Sequence, residues 1–416
     1  MAAVEQFYEY EERTLLLPDA AARAIVASVP HALALSPTDR REQWRVKASG
    51  HVGTISLPGL QILIKPKVRM ASVLYLMDAG MPASAWGSGT FAYAHQSDLL
   101  AAFAGFFARA LNRATSRGLL RSYRPASDRL VALRGRIDFP EQLRRPATPI
   151  PIACSYDDFT ADIDENRFLL GGVERLLRAL RLDPVTRSSL IHLRARFEDV
   201  RPVLPSLTQL AAIQFNRLNE HYESALKLVS FIVQNLSLHD RSGTHDASSF
   251  LVDMSKLYED WVTRKLREAL RGRLDVKAQT GRHLDRKGRV SIRPDLEFHR
   301  GGQVRYVGDV KYKLSKDGLA RTADYYQLLA YSTALDVPEG VLIYAQAEGA
   351  PPDEEVTVRH TDKRLVTYRL DLSGPLDQVE GSAADLAVWI TNRSAGADDS
   401  LRVPDAPELL RLGAGS

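Results

Sequence analysis

The stretch SIRPDLEFHRGGQVRYVGDVKYKL, residues 291–314, decides the fold of the C-terminal part of this 416-residue chain. A proline and Asp295 open a short apolar run, a glycine pair predicts a hairpin turn, and a second apolar run ends in Asp309-Val310-Lys311. Residues i and i+2 of a strand project to the same face, so we expect Asp309 and Lys311 on one side and Val310 in the core. The hairpin brings Asp295 near them.

Two carboxylates beside a lysine suggest metal-assisted hydrolysis. Hard oxygen ligands suit Mg²⁺, which keeps several waters and binds through one or two carboxylates. We therefore expect Asp295, Asp309 and the backbone carbonyl of Val310 to bind Mg²⁺, or Mn²⁺ in its place. Lys311 would orient the attacking water and stabilise the developing charge. Taken alone, the same pattern also fits an exposed hairpin with a surface Asp–Lys pair.

The flanking sequence favours a functional site. An amphipathic helix is predicted over residues 250–270, with Glu259 at the edge of its apolar face. A second helix is predicted over 324–335 and a buried strand over 340–345. Gln327 of the second helix is placed near the site, although a packing or capping role fits its position equally well.

The rest of the chain divides at breaks in composition. A hairpin is expected over residues 51–68, a helix from about 96 to 116, and strands over 122–139 broken at Pro125 and Gly135. Residues 152 to about 240 read as mostly helical, and the polar stretch HDRSGTHDASS reads as a linker. The predicted division is a β-rich N-terminal part at 1–145, a mainly helical middle at 146–245, a domain at 246–393 that contains the quoted stretch, and a C-terminal tail at 394–416 that frays at its end.

Composition excludes several classes of protein. Hydrophobic residues make up 45% of the chain and charged residues 25%, which is typical of globular domains. No apolar run is long enough for a membrane span, and the N-terminus lacks the apolar region of a signal peptide, so we expect a cytoplasmic protein without a membrane partner. The single cysteine, Cys154, excludes a disulfide framework.

Positive charge is concentrated in one part of the chain. The net charge is only +4, but residues 261–293 contain eleven basic residues against three acidic ones. Such a cluster fits a surface that contacts the phosphate backbone of a nucleic acid. A solvated helix face followed by a charged turn explains it as well.

The Pro-Asp and Asp-x-Lys elements resemble those of the PD-(D/E)xK nuclease superfamily. A narrower resemblance is to the McrC subunit of McrBC-type modified-cytosine restriction systems, and five segments between about residues 50 and 345 support it, in the family's order. They are VGTISLPGLQILIKPKV at 52–68, LLRSYRPASDRLVALRGRIDF at 119–139, CSYDDFTADIDENRFLLGGVERLL at 154–177, FLVDMSKLYEDWV at 250–262, and the pair DVKYK and DYYQLLAY at 309–313 and 324–331.

The resemblance implies a fold and a function. The expected fold is an α+β N-terminal region with a β-rich docking part and a helical middle, followed by an α/β PD-(D/E)xK restriction-endonuclease-like domain. The expected function is Mg²⁺-dependent cleavage of double-stranded, modified DNA by Asp295, Asp309, Lys311 and Glu259, in complex with a McrB-like AAA+ GTPase ring. The chain itself contains no P-loop, which agrees with a separate GTPase. The alternative is a non-cutting adaptor that activates the AAA+ GTPase and keeps the nuclease core as a structural element.

The resemblance also assigns the partner-docking role to residues 1–145. Arg134 and Arg136 flank Gly135 and are expected to alternate on one strand face. Either could stabilise phosphate charge in the partner's nucleotide pocket, as arginine fingers do. Solvated strand residues or DNA contacts are equally good interpretations of this pair.

Overall fold

The structure is a computed structural model that describes residues 3–77, 98–144, 149–179, 182–241, 244–312, 322–346 and 354–395. Within these ranges the chain is a mixed α/β protein with nineteen strands and eleven α-helices. The strands are β1 (Ala3–Tyr8), β2 (Glu12–Leu16), β3 (Leu33–Pro37), β4 (Gln43–Ala48), β5 (His51–Leu57), β6 (Leu60–Lys65), β7 (Ser122–Leu130), β8 (Arg136–Ile137), β9 (Ile152–Thr160), β10 (Leu236–Arg241), β11 (Thr244–Asp253), β12 (Asp275–Ala278), β13 (Arg282–His283), β14 (Ser291–Ile292), β15 (Leu296–Arg300), β16 (Gln303–Lys311), β17 (Glu339–Gln346), β18 (Glu355–Thr357) and β19 (Arg364–Asp371). The helices are α1 (Asp19–Ser28), α2 (Met70–Leu76), α3 (Leu99–Ala114), α4 (Phe139–Leu143), α5 (Asp164–Leu177), α6 (Pro184–Arg194), α7 (Leu207–Ala211), α8 (Glu223–Asn235), α9 (Met254–Ala269), α10 (Thr322–Ala334) and α11 (Leu376–Ser394).

The N-terminal part contains two sheets that share one apolar core. The first has the strand order β1-β6-β5-β11-β10, and the second has the order β2-β4-β3. The hairpin predicted around Pro58-Gly59 is confirmed as β5 and β6, which pair antiparallel. Helix α1 adds Ile25 to a core that also contains Phe7, Val46 and Ile62.

The middle of the chain is helical and is buried against its neighbours. The helix predicted from about 96 to 116 is α3 within the described residues, and Asp98 caps its N-terminus by accepting the backbone N–H groups of Leu100 and Ala101. Helix α8 packs on both α3 and α5. Their apolar side chains form one continuous core with those of α9 and α11.

The C-terminal sheet contains the hairpin predicted between Asp295 and Lys311, as strands β15 and β16. Its strand order is β12-β15-β16-β17-β19-β18, with β15 antiparallel to β16 and with β16, β17 and β19 parallel. The order helix, strand, turn, strand, helix, strand is confirmed as α9, β15, β16, α10 and β17. Helices α9 and α11 cover one face, where Val310 is buried, and α10 covers the other, where Val307 and Leu342 are buried.

Three local predictions were wrong because long-range pairing decided the structure. Within the described residues, the polar stretch expected to be a linker contributes residues 239–241 to β10 and residues 244–249 to β11, and β11 pairs with β5. Residues 250–253, expected to open a helix, belong to β11, and α9 begins only at Met254. The first nine residues of the stretch expected to be helical, 152–160, are strand β9.

Pro125 does not interrupt its strand as the sequence predicted. It lies within β7, which is an edge strand of the sheet β7-β9-β8, the position in a sheet where proline is tolerated. The expected frayed end beyond residue 395 lies outside the described residues. Among the described helices, none is both long and apolar enough to cross a bilayer.

Candidate active site

The end of β16 and the start of β15 bring three of the predicted side chains together. The Val310 backbone N–H donates to Asp295 Oδ2 at 2.9 Å. Lys311 Nζ lies 2.6 Å from Asp309 Oδ2, so both side chains project to the same face. The Val310 side chain is buried in the opposite core. The period of two therefore placed Asp309, Lys311 and Val310 on their correct faces, and the predicted hairpin brought Asp295 beside them.

The surroundings of Asp309 and Lys311 raise the pKa of both side chains. Burial, together with the neighbouring Asp295 carboxylate, raises the pKa of Asp309 to about 7, although Lys311 opposes the shift. Asp309 is fully buried, and its Oδ1 has no hydrogen-bond partner among the described residues. Burial lowers the pKa of Lys311, but the Asp309 carboxylate outweighs it, and the net pKa is raised. A carboxylate held in this way would gain from a further cation.

Glu259 is joined to this group through a residue that the sequence argument missed. The side-chain amide of Gln279 donates to Glu259 Oε1 at 2.5 Å and to Asp295 Oδ1 at 2.8 Å. The Gln279 backbone N–H also donates to the Asp295 carbonyl at 3.1 Å, and its φ of 53° lies in the left-handed region. Burial and then the charge of Asp295 raise the pKa of Glu259. Gln279 thus holds two carboxylates that would otherwise repel each other.

Helix α10 approaches the same site through Tyr331. Gln327 Nε2 donates to Tyr331 Oη at 2.7 Å, and Tyr331 Oη donates to the carbonyl of Arg293 at 3.1 Å. Burial raises the pKa of Tyr331, and the charges of Asp295 and Asp309 add to that shift. Gln327 therefore reaches the site by way of Tyr331, and its own role stays a prediction.

The site residues that were not predicted differ in how readily the sequence could have revealed them. Tyr331 lies four residues after Gln327, on the same face of a predicted helix, so the helical period could have identified it. Gln279 follows the short strand β12 and carries no motif, so only the fold reveals it. The contact of Glu9 with the site strand, from Tyr312 Oη to Glu9 Oε1 at 3.1 Å, joins residues about 300 positions apart and has no local signal.

The oxygen donors at the end of β16 fit a hard divalent cation. Asp295 and Asp309 supply carboxylates, and the Val310 carbonyl as a third donor stays a prediction. Within the described ranges no group of three or more His, Cys, Asp and Glu side chains is placed to hold a metal ion. The fit therefore rests on two carboxylates, with waters and a substrate oxygen completing the shell, as Mg²⁺ prefers.

The two arginines predicted to activate the partner, Arg134 and Arg136, lie just before and in strand β8 of the sheet β7-β9-β8. Gly135, between them, has a φ of 72°, so the chain bends there and Arg134 precedes strand β8 instead of alternating with Arg136 on it. Arg134 Nη2 lies 2.6 Å from Asp158 Oδ1, and its guanidinium lies 4.1 Å from the centre of the Tyr156 ring. The expected common strand face was therefore wrong.

Comparisons with known proteins agree with the resemblance of the sequence motifs. The family model described as McrBC 5-methylcytosine restriction system component matches residues 46–345. Two solved structures from Thermococcus gammatolerans are similar to this chain. The half-complex from a tetradecameric assembly of McrB AAA+ hexamers with bound McrC has a TM-score of 0.62 and 19% identity, covering 92% of this chain and 98% of that chain. The McrBC complex has a TM-score of 0.46 and 20% identity, covering 64% of this chain and 88% of that chain. The comparison with curated proteins gave no match.

Proposed function

The chain belongs to the family of McrBC 5-methylcytosine restriction system components, and from that premise we propose that it is a Mg²⁺-dependent DNA endonuclease subunit driven by an AAA+ GTPase. The observation that carries the proposal is the buried Asp309 carboxylate, which is held beside Asp295 and Lys311 with one oxygen unpartnered. A purely structural ion pair has no need of a second carboxylate beside it, because the added repulsion destabilises the fold.

Each residue of the site has a distinct role in this proposal. Asp295, Asp309 and the Val310 carbonyl would hold the cation, which supplies polarisation of the scissile phosphate and a more acidic water. Lys311 orients the water and stabilises negative charge on the phosphate. Glu259 lies one hydrogen-bonded residue away and positions Asp295 through Gln279.

The sheet β7-β9-β8 supports a docking role toward the AAA+ partner. None of its described residues belongs to the three apolar cores of the molecule. Large apolar side chains are instead exposed on and around it, at Tyr123, Val131, Leu133, Phe139, Leu143, Ile150 and Phe159. Exposed apolar residues in such density mark interaction surfaces. We therefore assign partner contact to this sheet, within and just beyond the segment expected from the sequence.

The nuclease role is tested with purified chain, its cognate AAA+ GTPase, GTP, Mg²⁺ and methylated plasmid. Asp309→Ala and Lys311→Ala are each expected to lower the cleavage rate at least about 10²–10³-fold, because each removes a charged group from the reacting centre. Partner binding and GTP hydrolysis should stay at wild-type levels. The matched control is Asp336→Asn, which removes an acidic group from an exposed position in the same part of the chain.

Two results decide against cutting by this site. Undiminished cleavage by Asp309→Ala would exclude these residues as the catalytic centre. Strong stimulation of the GTPase by the wild-type chain, without cleavage of any methylated substrate, would favour the non-cutting adaptor.

A further inference from the structure

A short basic hairpin leads directly into the candidate active site. Strands β13 and β14 pair antiparallel, and the turn between them carries three exposed cationic residues, Arg286, Lys287 and Arg289. Asp295 follows the end of β14 by three residues. The hairpin therefore ends three residues before Asp295 along the chain, and it lies within the basic stretch noted in the sequence.

Its turn is held in one conformation by the only acidic residue of the hairpin. Asp285 Oδ1 accepts the backbone N–H groups of Arg289 at 2.7 Å and Val290 at 2.8 Å, and Oδ2 accepts that of Lys287 at 3.2 Å. Gly288 adopts a φ of 68°, which the turn requires. The Asp285 carboxylate is thus engaged by the backbone, and the cationic side chains extend from a preorganised turn.

The base of the hairpin is anchored to the strands of the site. Arg282 donates to both oxygens of the buried Glu297 on β15, from Nε at 2.9 Å and from Nη2 at 2.7 Å. At the other end, Arg293 Nε donates to the Gln279 carbonyl at 2.9 Å, and Tyr331 Oη donates to the Arg293 carbonyl. The base of the hairpin is therefore hydrogen-bonded to Gln279, the residue that contacts both Asp295 and Glu259.

We propose that this hairpin binds the phosphate backbone of duplex DNA beside the scissile phosphate; this inference rests on the proposed nuclease function. Arg and Lys side chains that extend from a preorganised turn are groups that neutralise DNA phosphates. Arg289 also pairs with Asp285, from Nε to Oδ2 at 3.6 Å, but this is an exposed surface pair that contributes little and that a phosphate can replace. Phosphate contacts set the register of the duplex without reading its sequence, so the hairpin positions DNA for cleavage and leaves recognition of the modification elsewhere.

The test measures DNA affinity as a function of salt. The full-length chain with Asp309→Asn serves as background, so binding is read without cleavage. Adding Arg286→Ala, Lys287→Ala and Arg289→Ala is expected to reduce the slope of log affinity against log salt by about 2 to 3, since each phosphate contact contributes about 0.9. The loss should be the same for methylated and unmethylated duplexes.

The matched control removes the same charge from another surface. Arg23, Arg40 and Arg41 are exposed residues of the N-terminal part, and replacing all three by Ala should leave the slope within about 0.5 of its starting value. An unchanged slope in the hairpin variant, or an equal change in both triple variants, would overturn the inference. So would weaker binding of the AAA+ partner with unaltered DNA binding, which would make the hairpin a protein contact. Absence of cleavage by the wild-type chain would count against the nuclease proposal alone, because the slope is measured without cleavage.

Discussion

The two sheets that carry candidate functional residues differ in how their charged side chains are buried and paired. At the end of β16, Asp309 is fully buried, one of its oxygens is unpartnered, and burial together with Asp295 raises its pKa to about 7. On the sheet β7-β9-β8, Arg134 is exposed to solvent and is already paired with Asp158 and stacked over Tyr156. The first arrangement costs folding free energy until a cation or proton arrives, whereas the second costs almost nothing.

This difference separates two kinds of functional surface. A buried, unsatisfied carboxylate is a site for a small cation, because only a small ligand can reach it and compensate its charge. An exposed arginine with apolar neighbours suits a macromolecular partner, which can displace its weak surface pair without a large penalty. The predictions below test whether burial is what distinguishes the two.

Glu9 provides the largest expected effect, because it is a buried carboxylate just after β1 that contacts Tyr312, the residue that follows β16. It accepts hydrogen bonds from Tyr312 Oη and from the Lys67 backbone N–H, and burial raises its pKa to about 7. A carboxyl with a raised pKa contributes stability that is fully present below its unfolded value of 4.5 and is lost as the pH rises through about 7. Glu9→Gln should therefore raise the free energy of unfolding at pH 8 by up to about 3 kcal/mol, at 1.36 kcal/mol per pKa unit.

The measurement is denaturant unfolding of wild type and variant at pH 5 and pH 8. The difference between the two proteins should fall to below about 1 kcal/mol at pH 5, where Glu9 of the folded protein is almost fully protonated. Glu5→Gln, a change at a partly exposed residue of the preceding strand β1, is the control and should show no such dependence. A Glu9→Gln protein that is less stable than wild type at pH 8 would contradict the assignment of a destabilising buried charge.

The sequence predicted the site better than it predicted the sheets. The period of two placed Asp309, Lys311 and Val310 on their correct faces, because register within one hairpin is a local property. The first part of β11 was predicted as a linker and its last four residues as helix, since its partner β5 lies almost 200 residues away and the polar residues 244–249 carry no strand signal. The role of Gln279 could not be predicted for a similar reason, because it depends on contacts with Glu259 of α9 and with Asp295, next to β15.

A substitution at Gln279 tests how the carboxylates of the buried site are held. Its amide separates the carboxylates of Glu259 and Asp295, so Gln279→Ala leaves two like charges without their shared donor. Groups that orient metal ligands typically contribute 10- to 100-fold in metal affinity, and we expect a loss in that range. Direct titration with Mn²⁺, followed by its electron paramagnetic resonance signal, measures this without relying on cleavage.

The matched control for this change is Gln303→Ala, at the exposed start of β16. It removes the same side chain from the same sheet without touching a carboxylate. Equal Mn²⁺ affinity in Gln279→Ala and wild type would show that the amide only packs between the two acids, and that burial of Asp309 alone defines the site.

Arg134 gives the smallest expected effect on the isolated chain. Arg134→Ala removes an exposed ion pair and a ring contact, so the Tm should change by no more than about 2 °C. If the exposed sheet instead serves the partner, the cost appears only in the complex, as reduced stimulation of GTP hydrolysis at unchanged partner affinity. Arg136→Ala, across the bend at Gly135, is compared in the same assay. Wild-type stimulation by both variants would remove these arginines from the activating contact, whereas a large loss of Tm in Arg134→Ala would show that the pair with Asp158 is structural and that exposure does not mark a partner surface here.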